Sequence, residues 1–308
     1  MEGAAVIPLF PSSEDGAARR QVGAYSISLK DKEGYLNDGY IRLPGVLTEE
    51  EVLELESVFD AFIEGKMNVP GKDFCDMSQA FGIPFRDWRL VNAMLPREYL
   101  PALQNNVLEA RALSIAQQLL GEDMALDYDQ FLCKRPSRDG KANGAIFAWH
   151  QDQAYWPQDT PDYRTVTVSL ALNEATTDNG CLRVVPGSHK ENKLRQHRPV
   201  MAGRDDAHAL TVDLEQGDHV LYLPLRRGDV TVHDERIVHG SDGNTSTVNP
   251  RKTYVIAFRS KATIAAERAM GFTHSHNSET NWDSWISSST LSTATGTRKS
   301  NSNTKVEE

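Results

Sequence analysis

The chain predicts a mainly β fold with flanking helices, an antiparallel barrel or jelly roll, and three observations carry that expectation. From Ala125 to Ser260, short apolar runs alternate with turns built on Gly, Asn and Asp. Ahead of them lies a front portion whose apolar residues recur at helical spacing. The 308 residues suffice for one large domain, and no internal repeat divides them.

In chain order, residues 1–25 mix Gly, Ala, Pro, Ser and charge without periodicity and are expected to form a flexible N-terminal arm. The main domain is expected over 26–277. Residues 278–308, rich in Ser, Thr and Asn, are expected to form a disordered tail. Asp38-Gly39 marks a turn into a short strand that ends near Leu47. Thr48 then reads as a helix N-cap, with Glu51 completing a capping box. Val52, Leu55, Val58, Phe59 and Phe62 give Thr48–Glu64 one apolar face. Asn68–Asp87 is punctuated by Gly and Pro, and a loop of that length in a compact domain suits a lid. A second helical region spans Arg97–Leu120, with Gly121 as its C-cap. Strands are expected at Asp127–Lys134, Ala145–Trp149, Thr165–Leu172, Leu182–Pro186, His208–Val212, His219–Leu223, Asp229–His233 and Tyr254–Ser260.

Composition narrows the function. A net charge of -10 argues against a nucleic-acid partner, which calls for a basic patch. No apolar run approaches the roughly 18 residues of a membrane span, and the N-terminus has neither a basic segment nor a long apolar core. Cys75, Cys133 and Cys181 fall at unrelated spacings, which argues against a disulfide framework or zinc cluster. The expectation is a soluble, cytoplasmic protein acting on a small molecule.

The chemistry concentrates in Phe147–Trp156. Its centre is His150-x-Asp152, and residues two apart on extended backbone point to the same side. An imidazole and a carboxylate so placed suit a borderline ion such as Fe(II), which in facial-triad oxygenases takes a second His and keeps three positions open. His239 is the candidate for that second His; His233, six residues earlier, is the competitor. Arg251 follows His239 by twelve residues, at the edge of an apolar strand, where its planar fork could grip a dicarboxylate bidentately.

Beyond these residues, Asn179-Gly180-Cys181-Leu182-Arg183-Val184-Val185-Pro186-Gly187-Ser188-His189-Lys190 and Arg227-Gly228-Asp229 complete a pattern that resembles the phytanoyl-CoA dioxygenase family. The opening Asp38-Gly39-Tyr40-Ile41 and Val46 to Glu51 resemble that family's start, so the likeness spans residues 33–260. The resemblance implies a cupin-like jelly roll, the double-stranded β-helix. It further implies His150, Asp152 and His239 as Fe(II) ligands and Arg251 as the partner of the distal carboxylate of 2-oxoglutarate. Gln130, Arg89 and Ser169 match further cosubstrate contacts. The implied reaction uses O2 to decarboxylate 2-oxoglutarate to succinate and CO2, with ascorbate in support, and removes hydrogen from a substrate C–H bond. The intact Asp152 favours hydroxylation or a related outcome over halogenation, where a small residue replaces the carboxylate. A secondary-metabolite intermediate is a substrate of that kind. The alternative is a non-oxidative metal-binding cupin-like isomerase or binding protein, for which Arg251 has no evident use.

The remaining candidates divide simply. Trp149, Tyr155 and Trp156 are expected as core or as the wall of a site kept from water. His189 and His219 are expected to be structural, His274 and His276 an exposed pair, and Lys134 and Arg135 solvated.

Overall fold

Alternation with a period of two decides what each face of the large sheet meets. In the computed structural model, which describes residues 10, 14–142, 144–203 and 206–280, seven antiparallel strands form this sheet. Their order is Tyr40–Leu43, Val230–His233, Thr165–Ala171, Arg251–Ser260, Met124–Lys134, Leu90–Met94 and Phe74–Asp76. Phe131, Cys133, Tyr254, Ile256, Phe258, Val166, Val168 and Leu170 belong to one continuous apolar core. The helices Glu49–Ile63 and Val107–Leu120 bring Phe59, Phe62, Leu108, Ala112 and Ile115 into that core. Phe131 is wedged edge-on against Phe59, Phe62 and Tyr254, with ring centroids 5.0, 5.4 and 4.6 Å away. Each such buried ring contributes roughly 2–3 kcal/mol. The alternate residues on the same strands, among them Gln130, Thr167, Ser169, Arg251 and Thr253, line a chamber instead.

A smaller antiparallel sheet, Leu221–Leu223, Leu182–Val184, His239–Ser241 and Phe147–His150, supplies other chamber residues, Leu182, His239 and His150. Two antiparallel sheets enclosing one chamber are the jelly roll expected from the strand pattern. None of the described helices is long and apolar enough to cross a membrane.

All eight expected strands are present with shifted ends, but the front of the chain departs from expectation. The stretch expected as a loose arm carries the helix Glu14–Arg19 and a hairpin, Arg20–Gln21 with Ala24–Tyr25. Tyr25 is fully buried and its hydroxyl donates to the Pro44 carbonyl at 2.7 Å, so the end of the arm is held by the domain. Leu29–Asp38 is a helix capped by Ser28 and Asp31, where only the following turn had been read. Arg97–Leu120 is not one helix. Pro101 disfavours helical backbone at Leu100, and the region divides into Pro96–Tyr99, Pro101–Leu103 and Val107–Leu120, the last capped by Asn106. Within the long loop, Phe74–Asp76 pairs with Leu90–Met94, a strand that went unread. The expected tail lies outside the described residues from 281 onward.

The cap of Glu49–Ile63 is the predicted box. Thr48 Oγ1 accepts from the Glu51 amide at 3.3 Å and Glu51 answers to the Thr48 amide at 2.8 Å. Glu51 also receives Arg111 through two bonds of 2.6 and 2.8 Å, joining the two outer helices. Thr48→Ala is expected to lower stability by about 1 kcal/mol in urea unfolding, with an unchanged m-value. An unchanged midpoint would show the cap to be idle.

Candidate active site

His150 ends one strand of the small sheet and His239 begins its neighbour, and the two residues are directly paired. Gly240 follows His239 within the same strand. A Cβ there would meet the Phe147 carbonyl oxygen at 2.8 Å, so glycine lets the strands close around a bulge. The imidazole centroids stand 4.2 Å apart. Asp152 opens a short 3-10 turn two residues after His150, with Oδ1 3.1 Å from His150 Nε2 and 3.5 Å from His239 Nε2.

The tautomers suit a metal. His150 Nδ1 lies 2.7 Å from the Ala148 carbonyl oxygen and His239 Nδ1 3.0 Å from that of Ile237. Each carbonyl accepts a hydrogen bond from Nδ1–H, which leaves Nε2 with its lone pair on the side of Asp152. Burial pushes the His239 imidazole down to about 3, keeping it neutral. Burial opposes the Asp152 charge, but the surrounding imidazoles of His239, His150 and His233 outweigh it and hold the carboxyl well below its usual range. The charge asked of His239 in that balance is one its own burial denies. The state consistent with both is an ionised Asp152 beside a neutral His239, which suits a divalent ion. The three donor atoms lie within 4.8 Å of one another.

His233, set aside in favour of His239, is nonetheless part of this centre. Its Nε2 is 3.4 Å from Asp152 Oδ2, the oxygen turned away from the pair, and its ring is 4.7 Å from that of His239. The turn between His150 and Asp152 is pinned as well. The Gln151 amide donates to His197 Nε2 at 3.0 Å, and His197 Nδ1 donates to the Arg195 carbonyl at 2.8 Å.

Arg251 opens a large-sheet strand opposite Lys134 and lines the same chamber. It is buried, and among the described residues its Nε finds no hydrogen-bond partner and no carboxylate lies in ion-pair range. Burial draws its pKa down to about 10. An unpaired buried guanidinium is costly unless an anion arrives. Lys134 was expected to be solvated; it is fully buried and its ammonium donates to the Asp242 carbonyl.

Gln130 and Ser169 line this chamber, Gln130 donating to Asn92 Oδ1 at 2.6 Å. Tyr155 and Trp156 line an adjoining part with Met77, Met94, His208, His274 and His276. Trp149 does not reach it. As the strand neighbour of His150 it faces the other way, under the Arg183 guanidinium 4.2 Å from its ring centroid. Arg89 is likewise outside: it is exposed and packs over Gly144. His274 and His276 are buried rather than exposed. His274 bonds Asp127 at 2.7 Å and stacks on Tyr128, and His276 stacks on His208 with centroids 3.9 Å apart. Asp127, Glu267 and His274 also cluster closely enough for a metal, but Arg259 and Arg268 already supply the cations there. Sequence reasoning missed Tyr128, Leu132, Thr167 and Val255 in the chamber wall. Alternation in steps of two from Gln130, Ser169 and Arg251 reaches each of them.

His197 yields a pH prediction. Burial lowers its pKa from 6.5 to about 4, so the folded protein refuses a proton that the unfolded chain binds. Its contribution is complete above about pH 6.5, fades as pH falls, and is gone below about 4, a loss on the order of 1–3 kcal/mol. Urea unfolding at pH 7, 5.5 and 4 is expected to show that decline, shallower in His197→Gln; parallel pH dependences would contradict it.

Comparison with known proteins identifies a family. The family model described as phytanoyl-CoA dioxygenase (PhyH) matches residues 35–253. A probable alpha-ketoglutarate-dependent hypophosphite dioxygenase of Stutzerimonas stutzeri is 29% identical over 225 residues, 70% of this chain and 73% of that one. The ectoine dioxygenase of Streptomyces avermitilis is 27% identical over 254 residues, covering 78% and 81% of the two chains. Among solved structures, EvdO2 from Micromonospora carbonacea var. aurantiaca, complexed with 2-oxoglutarate, aligns with a TM-score of 0.61 at 28% identity, over 77% of this chain and 92% of that one.

Proposed function

The chain belongs to the phytanoyl-CoA dioxygenase family and is a non-haem Fe(II)- and 2-oxoglutarate-dependent dioxygenase; from that premise we propose that it oxidises a C–H bond of a small organic molecule at the centre built by His150, Asp152 and His239. The observation that carries the reading is the unpaired buried Arg251 on the wall of the chamber that also holds those three donors. A dicarboxylate cosubstrate would supply the partnering anion, its distal carboxylate meeting the guanidinium fork. A cupin-like binding protein without oxidative chemistry leaves that charge unexplained.

In this reading His150, Asp152 and His239 hold the iron, with His233 steadying the outer carboxylate oxygen of Asp152. Iron with 2-oxoglutarate and O2 supplies the oxidising chemistry, the cosubstrate leaving as succinate and CO2. Arg251 binds the distal carboxylate, and Ser169, Thr253 and Gln130 stand beside it on the same face of the large sheet. Tyr155, Trp156, Met77 and Met94 wall the adjoining space, excluding water and holding the target bond. Three imidazoles in that wall, His208, His274 and His276, suit a substrate with polar groups better than a plain hydrocarbon. An intact Asp152 leaves no vacated ligand position for a halide, so hydroxylation or a related hydrogen-abstraction outcome is the reaction expected.

Succinate formation from 2-oxoglutarate with Fe(II), O2 and ascorbate tests this directly. Slow uncoupled turnover is expected in the wild type, falling at least a hundredfold in His239→Ala and Asp152→Ala while both remain folded by circular dichroism. Equal turnover in wild type and variants, or iron binding unaffected by both substitutions, would refute the assignment of the centre.

A further inference from the structure

Two segments far apart in sequence meet where the strands Leu90–Met94 and Met124–Lys134 end. Their register pairs Leu90 with Lys134, so the residue before one strand meets the residue after the other, and the Arg135 amide donates to the Arg89 carbonyl at 2.9 Å. The result is a groove of about 620 Å³ lined by five cations, Arg86, Arg89, Arg135, Arg138 and Lys141, against two carboxylates, Asp87 and Asp139. In a chain of net charge -10, that concentration of one sign on a concave wall works against folding unless a ligand uses it.

The wall is built rather than merely decorated. Arg135 donates to the Phe85 carbonyl at 2.8 Å and lies over the Phe85 ring at 4.4 Å. Arg138 donates to the Arg86 carbonyl at 3.0 Å. The Arg89 guanidinium packs over Gly144, whose φ is +73° and where a Cβ would stand 2.5 Å from Nη1. The acid is thinly spread: Asp87 faces both Arg86 and Arg138 at 3.5 Å. Burial lowers the Arg135 pKa, and Arg138 adds repulsion.

We propose that this groove binds the phosphate groups of a phosphorylated small molecule, a diphosphate or larger. Arginine forks match phosphate oxygens bidentately, and a net surplus of three cations over the wall matches the charge of one diphosphate. The groove is too small for an extended nucleic acid, whose footprint spans a face of a domain. It stands apart from the metal chamber, with which it shares no lining residue, although its edge at Gly144 is three residues from Phe147, the ring stacked on His150 at 4.8 Å.

Calorimetric titration of the iron-loaded protein with inorganic pyrophosphate, ADP and, as a control, sodium chloride tests the proposal. Saturable one-to-one binding of pyrophosphate or ADP is expected, weakened at least tenfold in Arg89→Glu/Arg138→Glu and weakened again as salt is raised. The same binding must survive in His150→Ala, which separates the groove from chelation at the iron and from the oxygenase reading. Equal affinity for the two probes identifies phosphate alone as the determinant; tighter ADP binding identifies a nucleotide. Absence of saturable binding, binding unchanged by charge reversal, or binding lost with His150→Ala would overturn the proposal.

Discussion

The centre of the molecule depends on one register in the small sheet, the pairing of His239 with His150. Side chains on a strand alternate faces, so a slip of one residue would turn one imidazole out of the chamber and bring Gly240 or Val238 into its place. Several features hold that register. Gly240 permits the close approach to Phe147, and the bulge there absorbs the extra residue. The Val238 amide donates to Ser188 Oγ at 2.8 Å and the Val185 amide to the Val238 carbonyl at 2.9 Å, which locks the preceding turn. His197 fixes the Gln151 amide on the other side. The placement of the two imidazoles is thus set by backbone pairing.

Behind the centre, a buried charge network ties the end of the domain to the chamber. Arg259 is enclosed by Asp127, Glu235 and Glu267. Glu235 accepts from the Trp156 indole at 2.7 Å, and Asp127 accepts from His274 at 2.7 Å. Burial disfavours the charged His274, but Asp127 more than compensates and raises its pKa. Removing Arg259 would take away the cation shared by three buried carboxylates, a change that is strongly destabilising. The network explains why Trp156 stands where it does, and why the segment after Ala269 is part of the chamber wall rather than a loose end.

Much of this was legible in the sequence because it rests on local rules. The Thr48 box, the eight β segments and the spacing of His150, Asp152, His239 and Arg251 are set by capping geometry, period-two alternation and ligand chemistry. What escaped needed long-range pairing. Leu90–Met94 is fully buried, so it shows no alternation of apolar and polar residues. Lys134 and Arg135 were read as solvated because a charged strand end usually is; a carbonyl from residue 242 and the Phe85 ring cover them. His274 and His276 looked exposed in a polar stretch, and only Asp127, Tyr128 and His208, from distant strands, show what buries them. Trp149 sits next to His150 but on the opposite face of its strand, and Arg89 lies just before the strand Leu90–Met94.

Arg251 is where stability and function pull apart. A fold gains nothing from a buried guanidinium without an anion, and an apolar residue of similar length would cost it less. Under the proposed function, a ligand carrying a carboxylate to that spot would account for its presence. The most direct measurement is a calorimetric titration of 2-oxoglutarate into anaerobic, Fe(II)-loaded wild type and Arg251→Met. The account predicts that affinity falls about a hundredfold in the variant, the usual consequence of deleting one partner of a buried charge pair. Equal affinity in the two proteins would contradict it and remove Arg251 from the cosubstrate site.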